Sequence, residues 1–255
     1  MSYDYSKQSG EEFANIADEY DKGRKSENIE LWGNETKRLA DVDEDSLVLD
    51  LGCGTGLYTV GRGSAADCLM LGMDPVSGML GKAREKSRDV HWFNGIGEWL
   101  PLRSDILDCV FSSQVWHHIE DKQSTADECG RVIKPGKTVV IRTIGYAQLH
   151  RKVVFKYFPE IKRNQLNVYP SNQEFTEYFT NAGFSSIDFH EYREERYQSV
   201  EEFVEIAENK LWSMFRPITD EGLRKGIAEL WRYKKEHNDA PVRNDELITL
   251  VVCRY

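Results

Sequence analysis

The sequence predicts an α/β protein with a doubly wound, seven-stranded sheet and a helical cap inserted before the last strand. Three observations predict this fold. Short apolar runs alternate with helical segments between residues 47 and 143, which is typical of a parallel sheet with covered faces. A glycine-rich turn, GCGTG, follows the first run. About 50 residues of helical pattern then separate the last two apolar runs, where a hairpin would need only a few.

The N-terminal region is expected to form two helices. Ser9–Glu12 reads SGEE, a capping-box pattern. The apolar residues after it share one helical face; they are Phe13, Ile16, Ala17 and Tyr20. A second helix is predicted from about Ser26 to Ala40.

A run of strands and helices follows. The five predicted core strands cover residues 47–52, 68–74, 90–94, 107–113 and 138–143. One helix contains Met79, and another is expected from about Asp121 to Ile133, where the turn Lys134–Lys137 ends it.

The pattern changes after Thr143. Residues 144–170 are aromatic and basic without a clear period, and a helix and a sixth strand (184–192) follow them. The SVEE box at 199–202 begins a cap helix, and a second cap helix places Leu223, Ile227, Leu230 and Trp231 on one face. The expected domains are lid helices (1–45), a core (46–197 and 245–255) and the cap insertion (198–244).

Composition excludes several classes of protein. The 255 residues carry a net charge of −10, which argues against nonspecific nucleic-acid binding. No apolar run approaches the roughly 20 residues that span a bilayer, and the N-terminus does not resemble a signal peptide. The five cysteines are scattered, as in a reduced cytoplasmic protein. We expect no metal, because no cluster of side chains has metal-ligand spacing. We expect the protein to be a monomer or a homodimer.

The glycine turn indicates the type of ligand. Asp50, Gly52, Gly54 and Gly56 alternate along DLGCGTG. A dinucleotide fingerprint would require glycine at position 57, which is Leu57. The DxGxGxG pattern instead resembles class I S-adenosylmethionine-dependent methyltransferases. The alternative is a tight turn in an α/β protein that binds another ligand.

Asp74 ends the second predicted strand, about 20 residues after the glycine turn. A carboxylate at this point suits the two hydroxyl groups of a ribose. The alternative is that Asp74 caps the helix containing Met79.

Longer strings strengthen the resemblance. VLDLGCGTG, GMDPVSGML, GEWLPL, DCVFSSQVWHHIED and RVIKPGKTVVI occur in the order found in small-molecule methyltransferases of the menaquinone/ubiquinone type, and FANIADEYDKGR resembles their lid helix. The resemblance covers residues 13–143 well and 171–192 loosely. It implies an antiparallel last strand, S-adenosyl-L-methionine as cofactor and methyl transfer to a small-molecule acceptor.

The resemblance also implies which residues bind the cofactor. They are Tyr20, Arg24, Asp50, Gly52, Cys53, Gly54, Asp74, Pro75, Met79, Gly97, Glu98, Ser113 and Gln114. Pro75, Met79, Gly97 and Glu98 belong to the adenine side. Relatives often have aspartate where this chain has Ile96, so the adenine contacts are expected to differ.

Methyl transfer needs alignment of the acceptor more than an obligatory base. His117, after the fourth strand, is the candidate base, with packing as the alternative, and Tyr20 is a second catalytic candidate. The predicted acceptor residues are Arg142, Tyr146, His150 and Trp212. Arg142 equally suits a structural ion pair.

Two alternative functions remain open. The basic, aromatic segment 150–163 could bind RNA, although a helix with Val153, Phe155 and Phe158 packed inward explains it too. The protein could also bind S-adenosylmethionine without turnover.

Overall fold

The computed structural model describes residue 21, residues 28–66 and residues 68–255, the side chains of 62–66 excepted. The strands are β1 (Leu47–Leu51), β2 (Leu69–Asp74), β3 (His91–Asn94), β4 (Leu107–Ser113), β5 (Ile133–Thr143), β6 (Ser186–Glu194), β7 (Tyr197–Gln198), β8 (Val242–Arg243) and β9 (Glu246–Arg254). The helices are α1 (Ile29–Ala40), α2 (Leu57–Ala66), α3 (Ser77–Lys86), α4 (Lys122–Val132), α5 (Tyr146–Leu149), α6 (Val154–Tyr157), α7 (Pro159–Leu166), α8 (Asn172–Asn181), α9 (Val200–Glu208) and α10 (Asp220–Glu236).

Seven strands form one sheet in the order β3-β2-β1-β4-β5-β9-β6. Strands β1 to β5 pair in parallel, and β9 runs antiparallel to β5. The predicted fold class is therefore confirmed. The strand order reverses between β1 and β4, and in such sheets the crevice at the carboxyl ends of these strands is where ligands bind.

The sheet is stabilised by a continuous apolar core. Alternate residues of β1, β4, β5 and β9 contribute to it because side chains alternate between the two faces of a strand; among them are Leu49, Val110, Val139 and Val251. Trp116 is fully buried in the same core, with its ring 5.6 Å from Phe175 and 5.3 Å from Phe179 of α8. This packing holds the segment after β4 in place.

Two elements differ from the sequence prediction. Strand β5 begins at Ile133, not at residue 138, and its pairing with β4 shifts between Leu107 and Cys109. The Lys134–Lys137 turn is absorbed into the strand as an irregularity, with Gly136 at φ +79°. The ribbon of β7 and β8 was also not predicted, since two-residue strands carry no periodicity.

The described residues divide into two compact units. The sheet unit contains the chain up to Thr143, together with Asn172–His190 and Thr249–Tyr255. The helical unit contains Ile144–Ser171 and Glu191–Ile248. The predicted cap begins only at residue 198, whereas the observed helical unit also includes 144–171.

The helical unit has its own aromatic core. The Phe158 ring lies 4.9 Å from Phe215 and 6.3 Å from Phe203. Ser199 caps α9 as its box predicted, accepting a hydrogen bond from Glu202 N at 3.1 Å. On α10 Leu230 is fully buried, whereas Trp231, which stands at the same helical spacing in the sequence, is 42% exposed, so the predicted apolar residues do not form one buried face.

Several predictions fall on residues that the structure does not describe. They are the capping box at Ser9–Glu12, the helix after it, and Tyr20 and Arg24. Within the described part of the chain, every helix is too short or too polar to cross a membrane.

Candidate functional site

The loop after β1 folds back against the end of β2. The backbone N–H groups of Gly52 and Cys53 both donate to Met73 O, at 2.8 and 2.9 Å. Gly56 N donates to Cys53 O at 2.9 Å and closes the turn before α2. These bonds bring the glycine loop beside Asp74, the last residue of β2.

Two of the glycines are required by the space around them. Gly52 has φ +74°, and a Cβ there would lie 2.4 Å from Val115 Cγ2. Gly56 has φ +75°, and a Cβ there would lie 2.7 Å from the Trp92 ring. Left-handed φ values and close neighbours both disfavour any side chain, so the spacing of glycines follows from geometry.

The Asp74 carboxylate connects the glycine loop to the turn after β2. Oδ2 accepts from Gly54 N at 2.9 Å, and Oδ1 accepts from Val76 N at 2.8 Å. Burial raises the Asp74 pKa above its usual 3.8, against the effect of these two hydrogen bonds. Helix α3 begins at Ser77 with Val76 as its N-cap residue. Asp74 is therefore not the N-cap, and its hydrogen bond from Val76 N stabilises the turn that precedes the helix. An ionised carboxylate has about four acceptor positions, which leaves capacity for ligand hydroxyl groups.

Asp50 is the second buried carboxylate at this edge. It is 1% exposed, and its Oδ2 accepts a 2.6 Å hydrogen bond from Thr59 Oγ1 of α2. Between the two carboxylates lies Cys53, whose thiol pKa is raised well above its usual value by burial and by the charges of Asp50 and Asp74. The thiol therefore stays protonated and acts as a small apolar group, because thiolate is the nucleophilic form.

The end of β4 supplies the opposite side of the site. Gln114 adopts φ +57°, and its N–H donates to Arg142 O at 2.8 Å. Its side-chain Oε1 is shielded from solvent and has no hydrogen-bond partner among the described residues. A non-glycine residue in the left-handed region is held there by its surroundings.

A pocket lies where these elements meet. Its lining residues are Asp50, Gly52, Cys53, Gly54, Thr55, Leu57, Tyr58, Ser113 and Gln114. Six of these were predicted from the sequence. Thr55, Leu57 and Tyr58 were missed. Their position is nevertheless a signal, because Thr55 lies in the glycine loop and Leu57 and Tyr58 begin α2, and helix N-termini after glycine loops face ligands.

Tyr58 and Arg142 form a buried group behind the pocket. The Arg142 guanidinium lies 5.0 Å from the Tyr58 ring and 4.8 Å from the Trp32 ring, and it donates to Ser113 Oγ at 3.3 Å. Arg142 is 1% exposed. The Tyr58 hydroxyl is shielded and lacks a hydrogen-bond partner within the described structure.

His117 belongs to a 3₁₀ turn (Trp116–His118) that follows Gln114. It is 5% exposed, and its ring centroid lies 3.9 Å from that of His118. His117 is not among the residues that line the pocket, so its role as a base stays a prediction.

The residues predicted to bind adenine differ in how far they are exposed to solvent. Pro75 is exposed, whereas Met79 is 2% exposed and presents almost no surface to a ligand. Gly97 packs against Thr125 of α4, and Glu98 Oε1 accepts from Asp121 N at 3.3 Å. Their contacts with adenine stay predictions.

The remaining predicted acceptor residues belong to the helical unit. Tyr146 and His150 lie at opposite ends of α5, with ring centroids 5.8 Å apart. The Trp212 ring stacks on Phe215 at 6.0 Å and lies 5.8 Å from Phe203. These contacts explain how Trp212 is held within its own unit.

The pocket suits an adenosyl amino acid. Ribose hydroxyl groups and an ammonium group donate hydrogen bonds. The buried carboxylate of Asp50 lines the pocket, and that of Asp74 lies beside it, bonded to the lining residue Gly54. The orphaned Tyr58 hydroxyl and Gln114 amide oxygen match a ligand that carries both acceptors and donors. The residues present therefore fit S-adenosylmethionine.

Comparison with known proteins finds similarity to methyltransferases. Residues 49–141 match the family described as Methyltransferase domain. The demethylmenaquinone methyltransferase of Oceanobacillus iheyensis is 27% identical over 187 residues, covering 63% of this chain and 79% of that protein. The ubiquinone/menaquinone biosynthesis C-methyltransferase UbiE of Campylobacter jejuni is 26% identical over 178 residues, covering 58% and 74%.

A solved structure shares the fold. It is a protein from an antibiotic biosynthesis pathway of Anabaena variabilis, with a TM-score of 0.67 and 18% identity, and the match covers 87% of this chain and 95% of that one.

Residues 49–141, which contain the glycine loop, Asp50 and Asp74, are therefore similar to a class I S-adenosylmethionine-dependent methyltransferase domain. The cofactor of such a domain is S-adenosylmethionine. The chain is distantly similar to the menaquinone and ubiquinone C-methyltransferases.

Proposed function

We propose that this protein transfers the methyl group of S-adenosylmethionine to a small organic acceptor. The observation that carries the proposal is the pocket at the β1/β4 switch point. It is lined by the buried Asp50 and by two polar atoms without a hydrogen-bond partner in the described structure, and Asp74 is bonded to the glycine loop beside it. The cofactor supplies an electrophilic methyl group on its sulfonium sulfur. The chain has to hold that group and align the acceptor with it.

Residues in and beside the pocket have proposed parts in binding and catalysis. Asp74 accepts from the ribose hydroxyl groups while its two backbone hydrogen bonds keep its oxygens in place. Asp50 and the loop from Gly52 to Gly54 hold the methionine portion. Ser113 and Gln114, at the end of β4, lie on the side of the reacting centre. His117 remains the proposed base for an acceptor that must lose a proton.

The helical unit supports a small acceptor better than RNA. The aromatic residues of segment 150–163 are buried in their own unit: Phe155 is 7%, Tyr157 5% and Phe158 0% exposed. Stacking on bases requires accessible rings, and the ammonium group of Lys156 already lies 5.4 Å from the Tyr157 ring. Phe155 and Phe158 pack inward, which is the alternative to RNA binding that the sequence suggested for this segment.

The relatives suggest where to look for the acceptor. Two of them are named for methylation in menaquinone and ubiquinone biosynthesis. For this chain we propose an aromatic or quinol-like acceptor. Tyr146, His150 and Trp212 stay candidates for its recognition, whereas Arg142 is 1% exposed and packs on Tyr58 and Trp32, so it presents almost no surface to an acceptor.

Two measurements test the proposal. Calorimetric titration should show binding of S-adenosylhomocysteine and none of NAD, because Leu57 stands where a dinucleotide loop needs glycine. A panel of hydroquinones, phenols and small amines should then be incubated with methyl-labelled S-adenosylmethionine. Label transfer to a small acceptor supports the proposal, whereas tight NAD binding without a response to S-adenosylhomocysteine overturns it. If the protein binds the cofactor but transfers the label only to RNA, or to no compound of the panel, the assignment of a small-molecule acceptor is contradicted.

A further inference from the structure

Three side chains form a closed network beside the glycine loop. Thr55 Oγ1 donates to Asp21 Oδ1 at 2.6 Å. Lys86 Nζ lies 2.5 Å from Asp21 Oδ2 and also donates to Thr55 O at 2.8 Å. Each residue therefore contacts both of the others, although they come from three separate parts of the sequence. We call Asp21, Thr55 and Lys86 the loop clasp.

The clasp acts on a residue of the cofactor pocket. Thr55 lines the pocket and is 1% exposed. Both its hydroxyl and its carbonyl group are engaged by the clasp, so the clasp determines how this part of the glycine loop is oriented. Asp74 holds the loop one residue earlier, through Gly54 N.

The geometry favours a specific interaction over a random surface ion pair. The side chains of Lys86 and Asp21 are only 30% and 36% exposed. Lys86 is the last residue of α3, where a cation is also favoured by the helix dipole. On the same helix Lys82 pairs with Glu85 at 3.3 Å, but Glu85 is 67% exposed, and exposed pairs of this kind contribute little.

We propose that Lys86 is a positioning residue of the cofactor site, which fixes Thr55 of the glycine loop and holds Asp21 against it. The inference rests on the proposed cofactor pocket. It predicts that affinity for the cofactor depends on a charged residue that does not line the pocket. It also predicts that Asp21 and Lys86 contribute to affinity as one unit, because either substitution opens the same network.

The experiment is a double-mutant cycle in the full chain. Lys86→Met, Asp21→Asn and the double variant are titrated with S-adenosylhomocysteine, and Lys82→Met is the matched control on the same helix. Each single variant should weaken binding about five- to tenfold, the scale of one ordinary hydrogen bond. The double variant should lose little more than one single variant. The melting temperature should change no more than in Lys82→Met, and Lys86→Gln provides a second truncation should the first fold poorly.

The outcomes separate this inference from the proposed function. If the wild-type protein fails to bind S-adenosylhomocysteine, the proposed function is wrong. If the wild type binds and Lys86→Met binds equally well, the clasp has no positioning role. Losses that multiply in the double variant would show two independent residues and would also overturn the inference.

Discussion

Two pocket residues, Tyr58 and Gln114, each bury a polar atom that has no hydrogen-bond partner among the described residues. Leaving such an atom unsatisfied costs about 1–3 kcal/mol, and native proteins retain few of them. Both residues line the same pocket, so a bound ligand could supply the hydrogen bonds that these two atoms lack in the ligand-free protein. The substitution that removes such an atom should therefore affect stability and affinity in opposite directions.

Tyr58→Phe tests this expectation. The free energy of unfolding of the ligand-free protein should stay level or rise by up to about 1 kcal/mol, because an unpaired hydroxyl is removed without loss of packing. Affinity for S-adenosylhomocysteine should fall about three- to tenfold, the worth of one hydrogen bond. Denaturant titration and calorimetry measure the two quantities. Tyr178→Phe on α8 is the control, and a destabilised Tyr58→Phe protein with unchanged affinity would contradict the assignment.

Asp74→Asn tests the buried carboxylate. An amide retains one acceptor but turns its NH₂ group toward a backbone donor, so one of the two hydrogen bonds, to Gly54 N or Val76 N, must break. The protein should lose about 1–3 kcal/mol of unfolding free energy, and cofactor affinity should fall by roughly tenfold or more. A folded variant that binds at wild-type strength would refute the ribose assignment.

The raised pKa of Asp74 adds a pH dependence with a defined sign. Because burial raises the pKa in the folded protein above 3.8, the ligand-free protein loses stability as pH rises from the unfolded pKa through the folded one. Ribose hydroxyl groups donate to the ionised form, so affinity is complete above the folded pKa and is lost as pH falls through it. Calorimetry at a series of acidic pH values should show this decline in the wild type and its absence in Asp74→Asn.

At the scale of elements, the site depends on close approach between the glycine loop and the segment after β4. The loop can lie there because Gly52 leaves no Cβ in front of Val115. On α3, by contrast, Gly81 has open space around its Cβ position. The two glycines thus have opposite structural consequences, one required by a contact and one merely tolerated.

Gly52→Ala and Gly81→Ala form a matched pair. Gly52→Ala should destabilise the protein by about 2–5 kcal/mol, combining the left-handed φ penalty with the steric clash. Gly81→Ala should stabilise it by about 0.5–1 kcal/mol, because alanine is the better helix former. Adding Val115→Ala to Gly52→Ala should relieve only the clash and recover part of the loss. Urea titration of the wild type and these three variants measures the free energy of unfolding. Equal effects of the two glycine substitutions would refute this account.

At the scale of the whole molecule, the chain divides its residues between two compact units. The pocket proposed to bind the cofactor is lined entirely by residues of the sheet unit. The helical unit has a separate aromatic core around Phe158, Phe203 and Phe215. Substitutions in that core should therefore leave cofactor binding intact.

Trp212→Ala tests this division. Removing a half-buried ring that stacks on Phe215 should lower the unfolding free energy by about 2–3 kcal/mol. Affinity for S-adenosylhomocysteine should stay within about twofold of wild type, while turnover of an acceptor should be disturbed. Thermal melts, titration and turnover measure these effects. Lost cofactor binding at an unchanged melting temperature would contradict the division.

The sequence by itself determined the fold class, the glycine loop and the two carboxylates, because each depends on local order along the chain. Apolar runs such as LVLDL predict strands without knowledge of their packing partners, and glycine at a turn indicates directly that a left-handed backbone conformation is possible there. The cap helix after Ser199 could be predicted for the same reason. Predictions failed where periodicity was weak, as at residues 134–137 and in the β7/β8 ribbon, or where a face was only partly buried, as at Trp231.

Only the tertiary structure decided which residues share the pocket and what holds them there. Tyr58 lies outside the glycine motif and Thr55 is not one of its glycines, so their roles arise only from contacts with Arg142, Asp21 and Lys86. These partners lie between 31 and 84 residues away in sequence, so no local pattern links them. The burial that raises the pKa of Asp74 and keeps Cys53 protonated also comes from packing across the sheet. Burial and long-range contact are properties of the folded chain, which is why they could not be inferred from residue order alone.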